Sequence, residues 1–213
     1  MSYPILLELR GRRVVVVGGG KVAARKVGDL LIAGADVTVI SPTLCDELAE
    51  MRDRLAWREA EYAPGMLTKI YPLLVFAATD SPEVNRQVAE EARTHGVLVN
   101  TTDDNSAGDF MNMATIRRAE ITIALATGGA SPALAAHLRE RLENTIGDEY
   151  VTLARWLGEL RPLVKAQIPA EQRAALWQAI LASDVLAHLR DGDEAGARAM
   201  IDGLITKATK ERD

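Results

Sequence analysis

The sequence predicts an α/β protein in which a doubly wound parallel sheet precedes a small all-helical C-terminal domain. Short apolar runs alternate with helical segments up to about residue 100, as in sheets whose parallel strands are joined by helices. One of these runs, residues 14–17, ends in three glycines that open a helix. After residue 147 no strand pattern remains and helical periodicity takes over.

The first elements follow from runs of apolar residues and their terminators. Residues 5–9 are predicted as a short strand, and residues 14–17 as a strand covered on both faces because no polar residue alternates. A helix is predicted over 22–33, with Gly34 as its stop. Residues 37–40 are the next buried strand, which ends at Ser41-Pro42.

The middle of the chain continues the alternation of strands and helices. Residues 57–62 form a weaker and more polar strand pattern, whereas 73–78 is strongly apolar. A helix is predicted over 83–95, and residues 97–100 form the next strand. Residues 121–126 are one further apolar strand.

The last third of the chain is predicted to be helical. Ser131 and Pro132 have the residue types of an N-cap and a first helical position, and they open a helix to about residue 142. The later helices are predicted over 150–164, 170–189 and 193–208, with Pro162 and Pro169 as punctuation.

The glycine-rich turn after residue 17 predicts a dinucleotide site. Gly18 permits a tight turn, Gly20 lets phosphate oxygens approach the backbone, and Ala23 allows the helix to pack closely on the strand. Amides at the helix N-terminus then face the anion. The acid expected for the ribose at the end of the second strand is replaced by Ser41-Pro42-Thr43, which leaves the choice between NAD and NADP open.

Two other segments have the pattern of ligand-binding loops. Residues 100–104 follow a predicted parallel strand, so that a carboxylate there is either a general base or part of an ordinary turn. Residues 127–132 repeat the order of strand, glycines and helix start. Their amides either hold an anion or belong to a well-capped helix.

Composition narrows the class of protein. The 213 residues carry a net charge of −5, which argues against nucleic acid as a partner. A single cysteine, Cys45, excludes an intrachain disulfide, suits a reducing cytosol and is interpreted as structural. No signal-peptide pattern and no apolar run of about 20 residues is present, so we expect a cytoplasmic protein without a membrane partner.

Metal binding is not predicted. The three histidines are not spaced as metal ligands with one another or with Cys45. A group of arginines near residues 127–132 is either a solvated face or a clamp for a polyanionic substrate. The group comprises Arg117, Arg118, Arg139 and Arg141.

Five motifs in order resemble one known family. They are Tyr3-Pro4-Ile5, Gly18-Gly19-Gly20-x-Val22-Ala23-x-Arg25-Lys26, Ala78-Thr79-Asp80-x-Pro82-x-Val84-Asn85, Val99-Asn100-x-x-Asp103-Asp104 and Thr127-Gly128-Gly129-x-Ser131-Pro132. Over residues 3–145 the chain resembles precorrin-2 dehydrogenase, which also occurs as the amino-terminal module of siroheme synthase.

The resemblance implies a fold, a reaction and an assembly. It implies a Rossmann-like NAD-binding domain over 1–112, a dimerisation segment over 113–146 and a helical domain over 147–213. It also implies a homodimer that oxidises precorrin-2 to sirohydrochlorin with NAD, on the route to siroheme. Two alternatives stay open, namely a bifunctional enzyme that also inserts ferrous iron, and a non-catalytic NAD-binding sensor.

The resemblance also assigns residues. It implies that Asp103 is the catalytic base. The family has a proline where Met113 stands and an aliphatic pair where Thr101-Thr102 stand, and both departures lie near its substrate cleft. The implied NAD contacts are Gly18, Gly20, Lys21, Val22, Pro42, Thr43 and Thr79, and the implied substrate contacts are Thr127, Gly128, Gly129 and Ser131.

Overall fold

A computed structural model describes residues 3–102 and 107–210 of the chain. The chain divides into two compact units, Met1–Asn112 and Met113–Asp213. Within the described residues, no helix is both long enough and apolar enough to cross a bilayer.

The first unit is built on a five-stranded parallel sheet with strand order β3-β2-β1-β4-β5. The strand order reverses between β1 and β4, as it does in doubly wound sheets. The strands are β1 (Arg13–Val17), β2 (Asp36–Ser41), β3 (Ala56–Glu59), β4 (Leu74–Ala77) and β5 (Leu98–Thr101).

Apolar side chains cover both faces of this sheet. Val14 and Val16 belong to one buried cluster with residues of α1, while Val15 and Val17 belong to a second cluster with residues of α3. Alternate residues of a strand point to opposite faces, so β1 is apolar throughout because each face meets a helix. The helices of this unit are α1 (Lys21–Ile32), α2 (Asp46–Glu50) and α3 (Pro82–Thr94). The short helix α2 is absent from the sequence prediction.

The strand predicted over residues 5–9 is wrong. These residues pair with no strand, and Leu6 is 89% exposed. The edge strands of the sheet are β3 and β5, and residues 5–9 are not added to either edge. An apolar run forms a strand only where another strand is available to pair with it. Leu9 is buried, and its carbonyl accepts from the amide of Arg12 at 2.8 Å, which closes the turn before β1. The amide of Gly11 donates to the carbonyl of Gly34, just after α1.

The strand predicted over 57–62 ends earlier, at Glu59. Residues 62–67 are held by α3. The carboxylate of Glu91 accepts hydrogen bonds from the hydroxyl of Tyr62 and from the amides of Gly65 (2.9 Å) and Leu67 (3.0 Å). Burial and this carboxylate raise the pKa of Tyr62 far above its ordinary value, so its phenol stays protonated.

The second unit begins with an antiparallel hairpin. The predicted strand near 121–126 is confirmed as β7 (Ile121–Leu125), but it pairs with β6 (Ala114–Arg118), which the sequence analysis missed. The sequence of β6, Ala-Thr-Ile-Arg-Arg, carries too few apolar residues to predict a buried strand. Helix α4 (Pro132–Glu143) follows, and its predicted cap is confirmed because Ser131 Oγ accepts from the amide of Leu134 at 3.1 Å.

Four helices complete the second unit. The single helix predicted over 170–189 is two helices, because the backbone becomes extended at Ser183 and its hydroxyl donates to the carbonyl of Ile180 at 2.7 Å. Pro162 lies inside a helix instead of ending one. The helices are α5 (Asp148–Gln167), α6 (Ala170–Ala182), α7 (Val185–Arg190) and α8 (Glu194–Lys210).

The helical core gives a matched test of packing. Ile180 is fully buried, whereas the next residue, Leu181, is 54% exposed. We expect Ile180→Ala to lower the free energy of unfolding by about 2–5 kcal/mol, because it leaves a cavity, and Leu181→Ala to change it by less than about 0.5 kcal/mol. Urea denaturation followed by tryptophan fluorescence measures both changes. Equal effects of the two substitutions would contradict the packing described here.

Candidate functional site

A cleft of about 800 Å³ lies at the carboxyl ends of β1, β2 and β4. Ligands of open α/β sheets bind at this edge, beside the point where the strand order reverses. Segments that follow all three strands contribute to the wall. The lining residues include the glycine loop 18–20, Lys21 and Val22, residues 40–45, Glu61 and Tyr62, residues 78–80, Val84 and Thr102.

Gly18 makes the tight turn at the end of β1. Its φ is +126°, and a Cβ atom there would overlap the carbonyl oxygen of Ala78. Its amide donates to the carbonyl of Ile40 at 2.9 Å, while the amide of Ala78 donates to Val17 at 2.8 Å. The loop after β1 is therefore bonded to the ends of both neighbouring strands, and only glycine fits there.

Gly19, to which the sequence motif assigned no role, is packed against the turn after β2. A Cβ atom there would overlap the carbonyl oxygen of Thr43 and the hydroxyl of Ser41. The carbonyl of Gly19 accepts from the amide of Cys45 at 2.8 Å. Three successive glycines were the available signal, since the usual fingerprint needs only the first and third.

Gly20 presents an open backbone to the cleft. No heavy atom lies within 4 Å of the position where its Cβ would stand. It is the N-cap of α1 with extended backbone (φ −89°, ψ −176°), and no side chain caps the helix. The amides of Lys21 and Val22 are therefore left for an outside acceptor, with the positive end of the helix dipole behind them. This arrangement fits the pyrophosphate of a dinucleotide.

Ala23 occupies the third small position of the fingerprint. It is fully buried within the cluster that joins α1 to the sheet. A larger side chain would push the helix N-terminus away from the strand, so Ala23 fixes the distance between the amides and the loop.

The end of β2 is shaped by Ser41. Its hydroxyl is buried and donates to the carbonyl of Thr43 at 2.7 Å, and its own carbonyl accepts from Trp57 Nε1 at 2.9 Å. The Ser41 proton thus holds the turn, while Pro42 and Thr43 face the cleft.

The end of β4 is organised by a side chain from α3. Asn85, which is 1% exposed, accepts from the amide of Thr79 (3.1 Å) and from its hydroxyl (2.8 Å) and donates to its carbonyl (3.0 Å). Asn85 ends the third of the five sequence motifs, and the sequence alone indicated no role for it. The structure gives it one, because it fixes the loop that carries Thr79 and Asp80 into the cleft.

The end of β5 is tied down by two further side chains. Asn100 is buried, and its Nδ2 donates to the carbonyl of Phe110 at 2.8 Å. Thr102 lines the cleft, and its hydroxyl donates to the carbonyl of Ala77 at 3.2 Å. The predicted base Asp103 and its neighbour Asp104 lie outside the described residues.

The second glycine turn belongs to the second unit. Gly128 and Gly129 have φ values of +62° and +82° and are exposed. The hydroxyl of Thr127 donates to the carbonyl of Ser131 (3.1 Å) and accepts from its amide (3.3 Å). The two predicted hydroxyls therefore organise their own loop, and the glycine amides form its exposed surface.

Two of the four arginines, Arg118 and Arg139, have partners within the second unit. Arg118 lies 3.4 Å from Asp148 and donates to the carbonyl of Glu143 at 3.3 Å, and Arg139 pairs with Glu143 at 3.1 Å. The proposed clamp for a polyanion stays a prediction. Over residues 3–102 and 107–210, no three histidine, cysteine or acidic side chains gather into a metal-binding group.

The fold and the cleft define a class, the NAD(P)-binding proteins of Rossmann type. A family model described as "Putative NAD(P)-binding" matches residues 5–114. Two further models match the rest of the chain, "Sirohaem biosynthesis protein central" at 120–145 and "Sirohaem synthase dimerisation region" at 149–205. The chain belongs to the family of the first model, the putative NAD(P)-binding proteins, and the predicted nicotinamide dinucleotide cofactor is confirmed at this level.

Individual relatives agree with this assignment. The chain is 40% identical to siroheme synthase of Chromobacterium violaceum over 99% of its own length and 45% of that protein. It is 38% identical to siroheme synthase 1 of Aeromonas salmonicida over 98% and 45%. The chain thus spans less than half the length of these relatives. The solved structure of SirC, precorrin-2 dehydrogenase, matches with a TM-score of 0.76 and 26% identity over 95% of this chain and all of SirC.

Gly19 and Gly20 make separable contributions, Gly19 to the stability of the protein and Gly20 to ligand binding. We expect Gly20→Ala to leave the melting temperature nearly unchanged, because its Cβ meets open space, and to weaken NAD binding about tenfold or more, because the methyl group stands where phosphate oxygens approach. Gly19→Ala is expected to destabilise the protein itself, because its Cβ overlaps backbone.

Thermal unfolding and calorimetric titration with NAD measure the two effects on the same preparations. A Gly20→Ala protein that binds NAD like the wild type would refute the assignment of the pyrophosphate to this helix end.

Proposed function

We propose that this chain catalyses the NAD-dependent oxidation of precorrin-2 to sirohydrochlorin, in siroheme biosynthesis. The observation that carries the proposal is the similarity to SirC, precorrin-2 dehydrogenase, along 95% of this chain and all of SirC. The uncapped, open helix end at the cleft supports it, because the reaction needs a bound dinucleotide.

The chemistry requires the removal of two electrons and two protons from the macrocycle. NAD, when bound, accepts a hydride at the nicotinamide ring and leaves as NADH. The second proton leaves the substrate to a base, so that precorrin-2 and NAD yield sirohydrochlorin, NADH and a proton. The protein must therefore position the cofactor, position the macrocycle and supply the base.

The cofactor contacts that we propose all line one cleft of the first unit. The pyrophosphate lies at the N-terminus of α1, where Lys21 adds the charge of its ammonium group to the helix dipole. The adenosine half lies beside the turn after β2. The proposed contacts are Gly18, Gly20, Lys21, Val22, Pro42, Thr43 and Thr79.

We assign the base to Asp103. In the sequence it follows the last residue of β5, Thr101, by two positions. A carboxylate just beyond the carboxyl end of a parallel strand belongs to the edge at which such sheets bind their ligands. As a carboxylate at neutral pH, Asp103 accepts the proton that the macrocycle releases.

The glycine turn of the second unit is the proposed receptor for substrate carboxylates. Gly128 and Gly129 are exposed and closely precede the capped N-terminus of α4, whose dipole favours an anion nearby. Thr127 and Ser131 hold that turn in place and complete the proposed substrate contacts.

A homodimer in the cytoplasm completes the proposal. The family model described as a dimerisation region matches residues 149–205. This range lies C-terminal to residues 113–146, the segment that the sequence predicted for dimerisation. The three-part division at 112 and 146 stays a prediction.

The base assignment predicts a selective loss of turnover. We expect Asp103→Asn to lower the rate of precorrin-2 oxidation at least about 100-fold, because the proton has no acceptor, while NAD binding changes less than about twofold. Asp104→Asn is the matched control, since it removes the same charge from the adjacent position. The rate is followed anaerobically by NADH absorbance, and NAD affinity by calorimetry. Oxidation at the wild-type rate by a folded Asp103→Asn protein would exclude the assignment.

The same assay separates the competing functions. A wild-type protein that binds NAD but forms no NADH from precorrin-2 would be a sensor and not a dehydrogenase. Metal insertion is tested by adding ferrous or cobalt ion after oxidation is complete. A metal-dependent change in the macrocycle spectrum, absent without protein, would make the enzyme bifunctional.

A further inference from the structure

We infer that Glu61 selects NAD over NADP at this site, and that the ring of Tyr62 beside it forms the wall for the adenine base. This inference rests on the proposed dinucleotide function and deepens it. It answers a question that the sequence left open, because the acid expected at the end of β2 is missing.

The direction of the dinucleotide follows from the proposed chemistry. The pyrophosphate lies at the end of β1, in the middle of the strand order β3-β2-β1-β4-β5. The reacting nicotinamide must meet the base that follows β5, so it lies on the side of β4 and β5. The adenosine half then extends the other way, over the carboxyl ends of β2 and β3.

The carboxyl end of β3 brings Glu61 next to the turn after β2. Ser41 and Glu59 are partners in the parallel register, and the amide of Ala60 donates to the carbonyl of Ser41 at 3.3 Å. Glu61 comes one residue later and lines the cleft together with Pro42 and Thr43. The residue Glu61, which follows β3, thus lies near the turn after β2, where other dinucleotide-binding sheets place an acid from β2 to bind the ribose hydroxyls.

The charges along the cleft favour an unphosphorylated ribose. Among the described lining residues, Lys21 is the only cation, and it stands at the pyrophosphate end. The other charged lining residues are Glu61 and Asp80. A 2′-phosphate over β2 would face Glu61 at short range with no cation to offset its charge, whereas ribose hydroxyls donate to a carboxylate.

Tyr62 supplies an apolar surface at the same place. Its hydroxyl donates to Glu91, whose carboxylate also accepts two amides of the following loop. The phenol hydroxyl is thereby anchored to α3, and Tyr62 lines the cleft while packing partly against the core beneath it. An aromatic ring held in one position provides a stacking or edge contact for a purine base.

The test uses ligands that lack the nicotinamide ring but retain the adenosine and the pyrophosphate. Calorimetric dissociation constants are measured for ADP-ribose and for its 2′-phosphate derivative on the full chain. The wild type is expected to prefer ADP-ribose by about tenfold or more, and Glu61→Lys to reduce or reverse that preference by about tenfold or more, because an attractive charge replaces a repulsive one.

Two controls keep the result specific. Glu59→Lys makes the same charge change two residues earlier, at an exposed position that does not line the cleft, and is expected to move the preference less than about twofold. Tyr62→Ala is expected to weaken both ligands about tenfold without changing their ratio, whereas Tyr62→Phe retains the ring and most of the affinity.

Each outcome decides one question. If ADP-ribose binds but Glu61→Lys leaves the preference unchanged, or Glu59→Lys shifts it equally, the assignment of Glu61 is overturned while the dinucleotide function stands. If Tyr62→Ala binds both ligands like the wild type, the adenine wall is overturned. If neither ligand binds the wild type, the proposed dinucleotide function itself fails.

Discussion

The structure of the site depends on the close contact between the glycine loop and the ends of β2 and β4. Gly18 and Gly19 have no room for a side chain, because backbone atoms of Ala78 and Thr43 occupy it. Hydrogen bonds from Gly18 to Ile40 and from Ala78 to Val17 tie three strand ends together. The N-terminus of α1, the turn after β2 and the loop after β4 surround one cleft because these backbones touch.

This contact determines how the protein offers polar groups to a ligand. The hydroxyl of Ser41 donates within its own loop, whereas the hydroxyl of Thr79 donates to Asn85 on α3 and to the carbonyl of Ser81. The polar groups that the described cleft offers to the pyrophosphate are main-chain amides at the start of α1, with Lys21 beside them. Side-chain hydroxyls hold the loops in shape, and the backbone of α1 receives the anion. Loops that are held by their own hydrogen bonds lose less conformational entropy when a ligand binds.

Much of the fold was predictable because each element carries its own signal. Four consecutive valines covered on both faces, and helices with caps or stops such as Ser131 and Gly34, were read correctly from local pattern. The secondary-structure predictions were wrong where pairing with another strand, or a side-chain hydrogen bond, determines the local structure. The apolar run at 5–9 has no strand to pair with, and β6 is too polar to be seen without β7. The break at Ser183 depends on a side-chain bond to the preceding turn.

The sequence by itself predicted the kind of ligand, because a glycine-rich turn between a buried strand and a helix provides the local geometry that receives a pyrophosphate. The order of five motifs predicted the family. The sequence also located the polar segments that follow the strands. Only the tertiary structure decided which of these segments meet. Glu61 and Tyr62 lie at the end of the weakest predicted strand, and no local pattern marks them as cleft residues. They line the cleft because parallel pairing of β3 with β2, and the anchoring of Tyr62 by Glu91 on α3, bring together residues that are far apart in the chain.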